Sequence, residues 1–485
     1  MSSSTTSNSV TSAFIDLATY DEQEKYLYGG TGATTYFVKS IRKSTWFSVV
    51  PTCLTSQSKN WGSPFEATIS RAGDYLLRVW VRVQLPQLTF DFSANNPFGS
   101  AADSSTVSAR YTRNLAHNLF NEIKITFNDL IESRMDSYFL DFWSAFTIPA
   151  GKKNGYNNMI GNYAELTNPQ LIGAAKNILP AAILNLPLPF THFRETGLSL
   201  PTAALPYNDM KIKFDLRKLN NLIIFDSSSL TTSVPCSDSI IQTAEGYNSN
   251  VNMDVWAEYA IVSNMERTQM GKAPRDILIE QVQTTQGNFV PSSVTSYASN
   301  LQINFAHAIK ALMFAARNTT NSSEWSNYTA ASPVAGSGGV VFSPTLASDP
   351  IAQTTLQYEN TNRLCNLGSD YFSLIQPFYT AIDIPMETGY HLYSYSLDLT
   401  NSNPLGSTNY GKLTNVRLEC WPSSDAVIAA NVPAVGGSAA SATNPNTDGY
   451  NQWGAAFIQN YQLIVCGINH NIVRIAGGAL GFPVL

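Results

Sequence analysis

Asp74-Tyr-Leu-Leu-Arg-Val-Trp-Val-Arg-Val-Gln-Leu85 alternates almost without a break. In an extended chain Leu77, Val79, Val81, Val83 and Leu85 share one side, and Arg78, Trp80, Arg82 and Gln84 the other. A period of two is the mark of a strand that buries one face and wets the other, as antiparallel sheets do. The same reading extends outward. Ile123, Ile125 and Phe127 alternate in Glu122–Phe127. Met210, Ile212, Phe214 and Leu216 alternate with Lys211, Lys213 and Asp215, and Val251–Ile261 places Val251, Met253, Val255, Ala257, Tyr259 and Ile261 together. Further strands are predicted at Arg275–Val282, Leu301–Phe305, Lys310–Ala315, His391–Leu399, Leu413–Cys420 and Phe457–Val465. Polar segments, notably Ser227–Asn250, Ala330–Pro350 and Pro422–Asp448, connect them. Many strands joined by polar loops point to sandwiches and not to alternating βα units.

Helical signals are few. Thr19-x-x-Glu22 is a capping box before a short helix stopped by Gly29-Gly30. Phe139, Phe142, Trp143 and Phe146 recur at helical spacing in Asp136–Phe146, an aromatic stripe expected to clamp onto a core. A charged stretch over residues 264–274, closed by Gly271 and Pro274, is predicted to link two halves. The halves echo each other. Pro189-Phe190 and Pro377-Phe378, then Thr196-Gly197 and Thr388-Gly389, occur in the same order, and the strands at Met210 and Trp256 have counterparts near Asn415 and Gln459. Duplication of one β-sandwich is the expectation.

Composition narrows the function. Of 485 residues, 44% are hydrophobic and only 13% charged, where about 25% charged is usual. The chain is therefore neither disordered nor a linker, and uncharged polar side chains cover its surface. A formal charge of −6 argues against direct nucleic-acid binding, which needs a basic excess. Met1–Ser12 has neither basic residues nor an apolar core, so no signal peptide is expected, and Ser2 removes N-myristoylation. The five scattered cysteines, Cys53, Cys236, Cys365, Cys420 and Cys466, read as reduced buried thiols.

Motifs for chemistry are missing. The five histidines are isolated, without the closely spaced pairs a metal-dependent barrel enzyme would show. There is no G-x-S-x-G, H-E-x-x-H or phosphate-binding loop. No catalytic residue, cofactor or metal is assigned, and no enzymatic activity is expected. One cluster stands out: Asn318-Thr-Thr320, Asn321-Ser-Ser323 and Asn327-Tyr-Thr329 are three glycosylation sequons in twelve residues. Asn318, Asn321 and Asn327 are thus candidate glycan acceptors. Asn/Ser/Thr-rich loops also generate such triplets by chance, and without a signal peptide the chance origin is preferred.

Several stretches resemble one family. They are Leu186-Pro-Leu-Pro-Phe190, Thr196-Gly-Leu-Ser-Leu-Pro201, Ala204-Leu-Pro-Tyr-Asn-Asp209, Val255-Trp256 with Glu266-Arg-Thr268 and Ile279-Glu-Gln281, Gly389–Leu397 and Asn469–Leu485. Together they are similar to the major capsid proteins of large icosahedral DNA viruses. Phe14–Tyr20, Thr34–Val38, Ser70–Tyr75 and Tyr156–Asn162 match the iridovirus branch best.

The resemblance implies an all-β fold, a double jelly roll of two eight-stranded antiparallel barrels. Residues 1–35 would form an N-terminal arm, 36–263 the first roll, 264–274 the linker and 275–485 the second roll. It further implies a homotrimer, pseudo-hexagonal in outline, whose capsomers tile an icosahedral shell over an inner viral membrane. The partners implied are neighbouring capsomers and minor capsid proteins, with the arm facing these or the membrane. The location implied is the virion, assembled in the host cytoplasm. A carbohydrate-binding lectin and a β-sandwich hydrolase with paired carboxylates are the rival readings.

Overall fold

The structure, a computed structural model, describes residues 15, 18, 19, 21, 45–169, 175–227, 232–272, 274–291, 298–330, 348–431 and 459–482. Contacts divide the chain into Met1–Trp46 and Phe47–Leu485. In the first unit Ile15 and Ala18 are helical and Thr19 lies in a turn; the rest of the capping-box helix falls outside the described residues.

The second unit holds two sandwiches. The first is built from β1 (Phe47–Asn60), β2 (Pro64–Thr68), β3 (Tyr75–Leu85), β4 (Phe120–Phe127), β5 (Leu130–Asp136), β6 (Ala182–Pro187), β7 (Met210–Leu216) and β8 (Asn250–Val262). The second comprises β9 (Arg275–Phe289), β10 (Ser299–Gln302), β11 (Ala308–Asn318), β12 (Ile351–Tyr358), β13 (Thr361–Gly368), β14 (His391–Ser394), β15 (Val416–Pro422) and β16 (Tyr461–Ala476). Sheet orders in the first are β1-β8-β3-β6 and β2-β7-β4-β5, and in the second β9-β16-β11-β14 and β10-β15-β12-β13, antiparallel throughout. Adding eight to each label of the first sandwich reproduces the second. The fold is a double jelly roll.

This identity of topology is the duplication, and it corrects how the repeat reads in sequence. The Met210 strand is β7 and its counterpart is β15; the Trp256 strand is β8 and its counterpart is β16. The dipeptides do not correspond. Phe190 follows β6, whereas Pro377-Phe378 and Thr388-Gly389 precede β14, the equivalent of β6.

Alternation places the core as expected in β4 and β7, where Ile123, Ile125, Phe127, Met210, Ile212, Phe214 and Leu216 are all buried. β3 departs at one point. Between Arg78 and Leu76 the register with β8 slips, so Leu76 enters the core in place of Leu77. A bulge inserts one residue and reverses the face of everything beyond it. Ile261, past the same slip on β8, is exposed. Cys53 and Cys365 are exposed, unlike the other three cysteines.

Two segments read as loops are structured. Residues 227–250 contain a strand, Thr232–Pro235, and a short helix, Asp238–Thr243. The charged stretch between the rolls is a docked helix: Asn264–Lys272 buries Met270, and Arg267 donates to Asp74 Oδ1 at 2.6 Å. Asp74 also accepts from Val262 N. Burial alone would raise its carboxyl, but the Arg267 hydrogen bond is the larger influence and holds it below the usual range. A propensity reading of Met265–Gln269 as linker missed this anchor because Asp74 is 193 positions away.

Candidate functional site: the joint between the two rolls

Antiparallel order puts the β3–β4, β5–β6 and β7–β8 connections at one end of the first roll. Thr89 of the first and Glu245 of the third pair directly there. In these connections lie α1 (Ser137–Thr147), α2 (Ala150–Ile160) and a small sheet of Thr232–Pro235, Ile223–Ser227 and Val107–Tyr111. Helix α1 begins where expected, with Asp136 as its cap accepting from Phe139 N at 2.8 Å. Its aromatic stripe is buried: Phe139, Phe142, Trp143 and Phe146 all lie inside.

What that helix clamps onto belongs to the second roll. Residues 318–330, following β11, are folded inward, and 321–330 are buried apart from the exposed Ser322 and half-buried Trp325. Phe142 packs against Tyr328 and Tyr390, ring centroids 5.4 and 5.9 Å apart. Asp141 Oδ2 accepts from Ser326 Oγ at 2.6 Å and from the Tyr328 hydroxyl at 2.9 Å. Its other oxygen meets His117 Nδ1 at 2.6 Å, and His117 Nε2 in turn meets the Tyr156 hydroxyl at 2.7 Å.

Charge is buried in the joint, and the Arg110 and Arg113 guanidiniums are paired there with carboxylates. On the small sheet, Arg110 donates from Nε to Asp226 Oδ2 at 2.7 Å and from Nη1 to Glu324 Oε2 at 2.6 Å. Burial opposes its charge, yet the two carboxylates outweigh that and raise its affinity for the proton. Arg113 pairs with Glu387. Arg217 and Arg317 both stack on the indole of Trp325, at 3.8 and 4.4 Å from the ring. The Arg217 guanidinium has backbone carbonyls and Ser137 Oγ for partners, and burial lowers it to about 10. An aromatic face is a fitting partner for two such cations.

A second cluster forms on the β6–β7 side. Thr191 Oγ1 accepts from Glu280 N at 2.9 Å, and Glu280 receives Arg194 Nη2 at 2.6 Å and Lys310 Nζ at 2.5 Å. Burial would raise the Glu280 carboxyl, but Arg194 and Lys310 together hold it below the usual range. Nearby, His192 Nε2 lies 3.3 Å from Glu132 Oε1. Burial pulls its pKa down and Glu132 more than restores it, so the imidazole holds its proton above the ordinary value. Between the clusters, Gln281 of β9 donates to the Glu132 carbonyl of β5 at 2.6 Å.

The three sequon asparagines sit in this joint. Asn318, Asn321 and Asn327 are all buried. Each side-chain oxygen accepts from the backbone N–H two residues on: Thr320 at 3.1 Å, Ser323 at 3.0 Å and Thr329 at 3.1 Å. Asn318 Nδ2 also donates to Gln459 at 2.9 Å. A side chain bonding its own backbone two positions ahead folds a tight turn. The Asn-x-Ser/Thr spacing that reads as a glycan signal is thus the spacing that turns the segment inward. Of the histidines, His117, His192 and His391 are buried and bonded separately. Among the described residues no three His, Cys, Asp or Glu side chains are grouped to hold a metal, and no helix is long and apolar enough to cross a membrane.

Two rolls of one topology, locked by a buried joint, define the class of double jelly-roll capsid proteins. The comparisons agree. The family model for the major capsid protein N-terminus matches residues 35–262, and that for the large eukaryotic DNA virus major capsid protein matches residues 266–481. The major capsid protein of Costelytra zealandica iridescent virus is 51% identical over 490 residues, covering 99% of this chain and 100% of that one. A chain of the PBCV-1 virus capsid shares the fold with a TM-score of 0.69 at 21% identity, over 93% of this chain and 100% of that. The Faustovirus major capsid protein follows at 0.64 and 11%, over 92% and 93%. The chain belongs to the major capsid protein family of the large eukaryotic DNA viruses, in the company of the iridoviruses. Its role is that of a structural capsid protein, and the lectin reading is set aside.

Proposed function

We propose that three copies of this chain assemble into a pseudo-hexagonal capsomer, and that these capsomers tile an icosahedral shell. The observation that carries this reading is the duplicated roll: six sandwiches of one topology from three chains give near-sixfold shape from threefold symmetry. The role is structural rather than catalytic. In domain terms, residues 1–35 form the arm, 36–263 the first roll, 264–274 the connection and 275–485 the second roll. The arm meets minor capsid proteins or the inner membrane, assembly takes place in the host cytoplasm, and the genome is not contacted directly, in keeping with the formal charge of −6. Asn318, Asn321 and Asn327 serve as turn-formers and carry no glycan, which their burial supports.

Mass in solution tests the trimer. A species near three times 53.0 kDa that persists on dilution is expected; a chain that stays solitary at high concentration overturns the reading. Deleting residues 1–30 should leave trimers intact while shells fail to form. Hexose found on any of the three asparagines by mass spectrometry would refute their purely structural role.

A further inference from the structure

The two rolls share a topology but not a fate, and the difference locates a surface. In the first roll, edge strand β5 lies against β9, and α1, which follows β5 directly, packs against the end of β11 and the loop after it. The same positions in the second roll are occupied by β13 and by the helical segment that follows it. This segment is a π-turn, Tyr371–Ile375, running into the α-helix Gln376–Thr380. Its inner side is seated, with Phe372 packed 5.4 Å from Phe314 and Pro377 buried. Its outer side carries Leu374, Ile375, Phe378 and Tyr379, and the chain just beyond it Ile382 and Met386, all exposed, Phe378 by 67% and Tyr379 by 76%. The segment is held at its far end to the first roll of its own chain through Lys153–Asp383 and Arg113–Glu387.

Its counterpart surface is equally bare. Strand β9, which receives β5, has β1 as its equivalent in the first roll. β1 is exposed along most of its length, Phe47, Val49 and Val50 included, and β13 is exposed likewise. So β9, β5 and α1, which make the joint inside the chain, have as equivalents β1, β13 and the 371–380 segment, each with an uncovered face. Six large apolar side chains exposed within thirteen residues point to an interaction surface.

We propose that the outer face of residues 371–386, with β13, docks on β1 and the first part of the β3–β4 loop, residues 86–106, of a second copy of this chain. The contact repeats between copies the joint that β5 and α1 make with β9 and the β11–β12 loop within one. It is heterologous, and in a trimer it repeats three times around the ring. The proposal rests on the capsomer reading and adds which surfaces meet.

A photo-crosslinking phenylalanine analogue placed at Tyr379 in the full chain, followed by peptide mass spectrometry, tests it. Linkage to residues 47–106 of another copy supports the proposal. Linkage to residues 1–46, to the second roll of another copy, to a different protein, or no linkage in a preparation that is trimeric overturns it. In parallel, the Phe378→Asp, Ile382→Asp double variant should raise the concentration at which trimers dissociate by at least roughly tenfold, with Phe378→Leu close to the parent. Unchanged dissociation in the double variant counts against the surface while leaving the trimer standing. A parent chain that never trimerises refutes the capsomer reading itself.

Discussion

Arg110 shows what a single side chain does here. It is buried between one carboxylate of its own roll, Asp226, and one of the other, Glu324. Losing one partner of a buried pair costs about 3–5 kcal/mol when the remaining charge is left alone. Asp226 still neutralises Arg110 in a Glu324→Gln variant, so the expected loss is smaller, about 2 kcal/mol, measured as a lower denaturant midpoint. A midpoint unchanged would mean the pair contributes nothing.

Glu280 and His192 set opposite pH limbs. The Glu280 carboxyl titrates below its ordinary value of 4.5 when folded, so its stabilisation is whole above that value and fades as pH falls through the folded pKa. His192 is raised above 6.5, so its contribution is whole below that and fades as pH rises through the folded pKa. Unfolding midpoints across pH should therefore fall on the acid side. Glu280→Gln, less stable near neutral pH, should show a flatter acid limb as the difference closes, and an equally steep one would exclude Glu280 as its source. Neither pairing was legible in the sequence, because Arg194 and Lys310 stand 86 and 30 positions from Glu280.

At the scale of elements, the segment 318–330 and the 371–390 connection meet at one tight point. Gly389 has φ near +97°, and a Cβ built on it would lie 1.9 Å from the Tyr328 carbonyl oxygen. Gly389→Ala is both strained and blocked, so a cost of at least about 2 kcal/mol is expected, with Tyr328 displaced from Phe142 and Asp141. Near-ultraviolet circular dichroism alongside thermal melts checks this; an alanine tolerated without loss would show that the contact is soft. The elements themselves were partly readable. β4 and β7 stand where alternation puts them, and α1 where its aromatic stripe puts it. Helix α3 (Asn264–Lys272) and the inward turn of residues 318–330 were not, since both depend on partners distant in sequence: Asp74 for the first, and α1 with Arg110 for the second.

For the whole molecule, the consequence is mutual dependence. Ile279, Ala311, Met313, Ile464 and Ile468 of the second roll belong to the same apolar cluster as the core of the first. The second roll has its own cluster besides, around Phe289, Phe314 and Leu463. Cutting the chain between the rolls would expose the shared cluster and strand Glu324 and Glu387 without their arginines. Residues 275–485 expressed alone should accordingly bind hydrophobic dyes and aggregate, while the intact chain unfolds in one transition. A soluble, cooperatively folding second roll would show the joint to be dispensable.

That this chain is built of antiparallel strands, that it is doubled, and which family it joins can all be read along its residues. Those follow from side-chain alternation and residue order, which the linear string records directly. Only in three dimensions does the sequon loop become an internal wedge and the charged connection an anchored helix, and only there do some apolar faces stay uncovered. Burial and pairing are properties of residues brought together across hundreds of positions, and no local pattern encodes which partner will arrive.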